Sequence, residues 1–296
     1  MSTSFLSRVA SAPISWGICE VPGWGKMLPT DRVLNEMQSL GLPGTELGAP
    51  GFLPEDPSKL VEKLAEYDLK LLGGFTPVVV HNPAERKATV EYVKKVADLF
   101  QRTGATHLVS SPVYTWNWDV PNSLSNDEYR HMFKMFNEID LICEDLGLAN
   151  VLHPHLMTVV ETESDVERVL DGCDVNWCLD TGHLAIGGVD VVAFAKKAFD
   201  RVGHVHLKDV DLSKAPSVLD RSKSIMEGVQ SGLFTPLGKG DVPIAELVTY
   251  LEGRGYQGWY VIEQDLAITG EIPASGEGPI ELVSESLAYL HSIPNI

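Results

Sequence analysis

The sequence predicts an α/β fold of the (β/α)8 TIM-barrel type, and three observations lead there. Short apolar runs alternate with longer amphipathic segments from end to end, the pattern of parallel strands joined by helical crossovers. Eight strand-like runs occur in 296 residues, which suits one barrel domain spanning 1–296 with no second domain left over. No glycine-rich dinucleotide loop follows the first run, which argues against an open Rossmann sheet.

The strands read as Val9–Trp16, Gly44–Gly48, Leu69–Phe75, Thr106–Ser111, Ala149–His155, Asn176–His183, Arg201–Asp209 and Gly258–Asp265. Helical periodicity fills the intervals at Asp31–Leu40, Pro57–Tyr67, Ala84–Thr103, Asn126–Leu146, Glu163–Leu170, Asp190–Ala198, Val242–Arg254 and Gly278–Leu290. The fourth helix carries a broad apolar face of Tyr129, Met132, Phe133, Phe136, Ile139, Leu141 and Ile142. Asp31, Asn126 and Asp190 are start signals, and Gly41, Gly104, Gly147 and Gly255 are stop signals of the helix-end kind. From Leu212 to Gly240 the pattern lapses into an irregular stretch, expected to fold over the barrel mouth as a lid or binding element.

A net charge of −18 opposes binding to nucleic acid or to an anionic membrane surface, because phosphates are repelled at long range. No apolar run approaches a membrane span, and the opening residues lack the apolar core of a leader. Cys19, Cys143, Cys173 and Cys178 are scattered without a Cys-x-x-Cys pair. Reduced thiols in a cytoplasmic protein are therefore expected.

The chemistry gathers at the ends of the last four strands. Along Arg201–Asp209, alternation sends His204, His206 and Lys208 to one face and Val205 and Leu207 to the other. Three further runs end in His153-Pro-His155, Asp180-Thr-Gly-His183 and Glu263-Gln-Asp265. A barrel builds its active site from residues at the C-terminal ends of several strands, so these tips should converge. His153, Asp180, His206 and Glu263 form the strongest ligand set, with His155 able to replace His153 from the same strand face. Two imidazoles with two carboxylates suit manganese, cobalt, iron or zinc better than magnesium or calcium. His204, Glu161, Asp209 and Asp265 are left to orient ligands or hold substrate. Trp16, Trp116 and Trp118 are aromatic walls for a sugar-like ring or, alternatively, packing. Asp180 also reads as a helix-capping turn residue, and Gly238-Lys-Gly240 as a loop turn lacking P-loop spacing.

These residues carry a resemblance. Ala12-Pro-Ile-Ser-Trp-Gly17, Gly44-Thr-Glu-Leu-Gly48, His153-Pro-His155, Cys178-Leu-Asp-Thr-Gly-His183, His204-Val-His-Leu-Lys-Asp209, Phe234-Thr-Pro-Leu-Gly-Lys-Gly240 and Val261-Ile-Glu-Gln-Asp265 occur in order at barrel spacing. Together they resemble the xylose-isomerase-like superfamily of sugar-phosphate isomerases and epimerases, and within it the inosose dehydratases of inositol catabolism. The resemblance implies Asp180, His206 and Glu263 as metal ligands, and substrate contacts from Glu46, His183 and Lys208. It also allows a homo-oligomer. Many members place a Glu where this chain has His153, which weakens a symmetrical two-carboxylate proton relay and favours elimination.

The expected reaction is therefore metal-dependent dehydration of a cyclic polyol ketone, inosose. Glu263 is the first base, with His153 or His155 behind it. His183, His155 or Lys208 would assist departure of the hydroxyl. Isomerisation or epimerisation of a keto sugar or inosose on the same barrel is the alternative. Cleavage of abasic DNA is opposed by the charge, and a non-catalytic carbohydrate-binding barrel would need no open-sided metal.

Overall fold

The computed structural model describes residues 5–294. Its strands are β1 (Val9–Ser11), β2 (Gly44–Thr45), β3 (Lys70–Leu71), β4 (Gly73–Val78), β5 (His107–Pro112), β6 (Ala149–Leu152), β7 (Asn176–Asp180), β8 (Val202–Leu207), β9 (Asp209–Val210), β10 (Phe234–Thr235) and β11 (Tyr260–Ile262). Nine of them form one sheet in the order β3-β2-β1-β11-β8-β7-β6-β5-β4, paired in parallel throughout. The two outermost members, β3 and β4, are halves of a single run interrupted at Leu72. The sheet therefore closes on itself as the expected eight-stave barrel. β9 and β10 make a separate antiparallel ribbon.

The helices are α1 (Thr30–Ser39), α2 (Pro57–Ala65), α3 (Arg86–Thr103), α4 (Asn126–Glu144), α5 (Glu163–Gly172), α6 (Thr181–Ile186), α7 (Val191–Ala198), α8 (Ala215–Leu219), α9 (Ile225–Gln230), α10 (Ile244–Gly253) and α11 (Pro279–Ser292). No described helix is long and apolar enough to cross a membrane. The main core lies between barrel and helices, where Trp177, Val205 and Leu207 meet Phe100, Phe136 and Phe194. On α4 the buried stripe is Tyr129, Met132, Met135, Phe136, Ile139 and Cys143, narrower than the face read from the sequence. Leu141 lies about 200° around the helix from Ile139 and is exposed.

Helix signals were partly displaced. α4 starts on a Ser125–Glu128 capping box rather than on Asn126. Asp31 lies inside α1, behind Pro29, and pairs with Lys63 instead of capping. Asp190 does cap α7, accepting from Val192 and Ala193. Gly104 and Gly147 end α3 and α4 with φ of +76° and +72°, a conformation that disfavours any residue with a Cβ. The stretch after β9 is more ordered than its composition suggests, because it holds α8 and α9. Asp209 anchors its far end: its carboxylate accepts the N–H groups of Gly238, Gly240 and Val242 at 2.8, 3.0 and 3.0 Å. Gly238-Lys-Gly240 is thus a turn whose amides are filled by the protein's own anion, not a phosphate cradle.

Candidate metal centre and active site

Strand ends supply the side chains at the C-terminal mouth. Asp180 closes β7 and caps α6, its Oδ1 accepting from the His183 N–H at 2.8 Å. The other oxygen, Oδ2, lies 3.1 Å from His153 Nε2 and 3.6 Å from His206 Nδ1. Both readings of this residue hold, capping and convergence. His206 Nδ1 is also 3.1 Å from Glu263 Oε2, yet it is buried without a hydrogen-bond partner. Ligand atoms of His153, Asp180, His206 and Glu263 all fall within 4.8 Å of one another. His155 is outside that set. Its Nδ1–H is given to Leu156 O at 2.5 Å, so the open choice on the fifth stave falls geometrically to His153.

Beneath the cluster, Glu46 Oε1 lies 2.9 Å from His206 Nε2 and 2.8 Å from His204 Nε2. A carboxylate on Nε2 fixes the proton there; despite burial, Glu263, Glu46 and Asp180 hold the ring charged well above the ordinary imidazole range, so Nδ1, facing Asp180 and Glu263, is the nitrogen placed to exchange its proton for a cation. Glu46, expected to touch substrate, instead orients His206 from below. His204 is fully buried against His107, ring centroids 4.8 Å apart. Trp16 is likewise 0 % exposed and donates its indole N–H to Glu36 at 2.8 Å. The predicted first strand gives way after Ser11 to a 3-10 turn, Pro13–Trp16, which rotates the indole into the core. Of the two readings the sequence left open for Trp16, this structure places it in packing. Glu161 is engaged by the Arg221 guanidinium and by the Met157 N–H at 2.8 Å. That arrangement makes it an anchor for the segment carrying α8 and α9.

Lys208 is the cationic counterpart. Its ammonium contacts Glu263 Oε2 at 2.9 Å, Asp265 Oδ1 at 2.8 Å and His183 Nε2 at 3.0 Å. A Cβ at residue 182 would come within 2.7 Å of the Lys208 stem, so Gly182 is what lets this side chain lie against α6. Phe234, whose ring centre lies 5.0 Å from Lys208 Nζ, and Phe75 had no role assigned from the sequence. Phe75 packs edge-on against His153 and His155 and stacks with Trp118, centroids 5.8 Å apart. An aromatic exposed in the middle of a barrel strand was the available signal. Trp116 sits farther out, against Tyr92.

The electrostatics favour a cation. Burial would raise Glu263, but His206 and Lys208 beside it hold its carboxyl down at about 2. Asp180 and Glu46 are held low in the same way, by Lys208 and His183 and by His206 and His204 respectively. Burial with Glu263 close by lifts Asp265 to about 6 despite Lys208. Burial, then His153 and Lys208, press His155 down to about 3. Glu46, Asp180, Glu263 and Asp265 thus share two cationic groups, the Lys208 ammonium and the His206 ring. Such an excess of buried negative charge is costly unless offset by a proton or a metal ion. The orphaned Nδ1 of His206, between two carboxylate oxygens, fits the metal.

Residues 32–292 match the model of the xylose isomerase-like TIM barrel family. The chain belongs to that family. Within this xylose isomerase-like barrel family, it is 30% identical over 275 residues to a protein named inosose dehydratase from Geobacillus kaustophilus, covering 88% of this chain and 89% of that one. A Clostridium perfringens protein of the same name is 27% identical over 98% of each chain. Among solved structures, a probable 3-DHS dehydratase from Bacillus anthracis superposes with a TM-score of 0.65 over 96% of this chain and 99% of its own. At 15% identity it shares the fold.

Proposed function

We propose that this family member is a metal-dependent hydro-lyase that removes water from inosose, a cyclic polyol ketone of inositol catabolism. The observation that carries the reading is end-to-end similarity to inosose dehydratases, in a chain whose stave ends bring two imidazoles and two carboxylates together. His153, Asp180, His206 and Glu263 hold the divalent ion, with manganese or cobalt suited first and iron or zinc next. When bound, the ion supplies Lewis-acid stabilisation of the enolate formed as the α-proton leaves. Glu263 accepts that proton on its carboxylate. Lys208, held against Glu263 and Asp265 and backed by His183, protonates the β-hydroxyl as it departs as water. His155, with Nδ1–H given to Leu156 O, presents Nε2 as an acceptor for a substrate hydroxyl. Phe75 and Trp118 wall the ring. Action in the cytoplasm agrees with four unpaired cysteines.

The test is inosose turnover with manganese or cobalt, followed by the new ultraviolet absorption of an unsaturated or diketone product. Wild type should produce it, and Glu263→Gln should lose nearly all turnover while keeping its circular dichroism. A stereoisomeric product without new absorption would make the protein an epimerase. Unimpaired turnover in Glu263→Gln would remove that residue from the mechanism.

A further inference from the structure

Below the hard, oxygen-rich side of the site lies a soft one. Cys178 stands two residues before Asp180 on β7, so both side chains point into the barrel, Cys178 one layer deeper. It is fully buried, packed with Val109 and Val151, and pairs in register with His204, next to His206. Ligand atoms of His153, Cys178 and His206 lie within 4.8 Å of one another, as do those of the set containing Asp180 and Glu263. The two sets share both imidazoles. Both rings are at least 99 % buried, and Nδ1 of each lacks a hydrogen-bond partner. Metal–nitrogen and metal–sulfur bonds of about 2.0–2.3 Å let one ion span atoms roughly 4.6 Å apart. The three donors therefore need only small shifts to meet.

We infer that the barrel offers thiophilic cations a second, deeper coordination mode through His153, Cys178 and His206, exclusive with the mode that uses Asp180 and Glu263. Sulfur selects soft or borderline ions, zinc among physiological ones and cadmium as a probe, whereas manganese keeps to the oxygen side. Binding in this mode exchanges the thiol proton for a metal–sulfur bond and the His206 Nδ1 proton for a metal–nitrogen bond. Both protons are released to solvent, and no oxidation state changes. Because two ligands are shared, a soft ion there displaces manganese and blocks the oxygen-sided site.

The inference stands apart from the hydro-lyase reading and is tested without substrate. Full-length protein stripped with a chelator is titrated with Cd²⁺, and the sulfur-to-cadmium charge-transfer band is followed in the ultraviolet. Wild type should show a band that saturates at one cadmium per chain, and protein preloaded with Mn²⁺ should release it as the band grows, read from the paramagnetic resonance of free Mn²⁺. Cys178→Ala and Cys178→Ser should lose the band and bind Cd²⁺ about 100-fold more weakly, while their Mn²⁺ affinity stays close to wild type. A band that persists in Cys178→Ala, or one that grows while Mn²⁺ stays bound, overturns the assignment. Should both variants misfold, the ¹¹³Cd resonance of wild type decides: a shift typical of one sulfur with nitrogens supports it, and an all-oxygen-and-nitrogen shift refutes it. Protein that shows the band but no inosose turnover would sink the proposed reaction and leave this site standing.

Discussion

Around His206 the chain sets Glu46 on one ring nitrogen and Asp180 with Glu263 on the other. The alternation of His204, His206 and Lys208 made this ring's inward direction readable, as did the lone acids that end two apolar strands. What the sequence could not convey is which oxygen each nitrogen meets, because that depends on stagger between staves far apart in the chain. Glu46 therefore looked like a substrate contact, although it works from below. Glu46→Gln should keep the fold and weaken manganese binding by about 10- to 100-fold through loss of the tautomer lock, measured by calorimetric titration. Trp16 lies in the core for a local reason: the 3-10 turn Pro13–Trp16 ends the strand before it. Trp16→Phe should lower stability by about 1–3 kcal/mol by leaving Glu36 without its indole donor. Its KM should stay at the wild-type value, whereas a substrate wall would raise it.

At the scale of elements, strand tips, turns and caps do most of the positioning. The turn after β6 separates His153 from His155, so residues that would share a strand face are divided between the charged cluster and the aromatic wall. α6 was invisible to periodicity because it is a short helix continuing straight from β7, and its cap, Asp180, belongs equally to the site. The segment with α8 and α9 escaped for a related reason, since helices this short carry little amphipathic signal. That segment is tied to the barrel mouth by Arg221 on Glu161 and by the Gln230 amide on the Gly23 and Trp24 carbonyls. Arg221→Ala should cost about 1.4 kcal/mol of local stability, which speeds proteolytic cleavage within 212–233 roughly tenfold. Limited proteolysis with mass spectrometry reads this directly, and unchanged cleavage would show that the pair does not hold the segment down.

Across the whole molecule, barrel closure buries imidazoles outside the four-residue cluster as well as in it. Burial lowers His81, and burial with His204 beside it takes His107 to about 3. Such groups bind protons more readily unfolded than folded. Their contribution to stability is present above the unfolded value of about 6.5 and is lost as pH falls toward the folded values. Each forfeits up to about 1.4 kcal/mol per pH unit in that window, so the melting temperature should fall steadily from pH 6.5 to 4.5. A flat profile would mean that these imidazoles titrate normally. Eight staves, their order and the mouth's location were legible because alternation and helix spacing repeat along the chain. Closure through a strand broken at Leu72 was not read, although the Gly73-Gly74 pair beside it is the kind of mark that a break or a close backbone approach leaves inside a strand.

The most direct test is anomalous scattering from crystals grown with Mn²⁺. The account predicts one peak at bonding distance from His153, Asp180, His206 and Glu263 together. A peak that misses any two of these four, or no ordered peak at saturating metal, would contradict it.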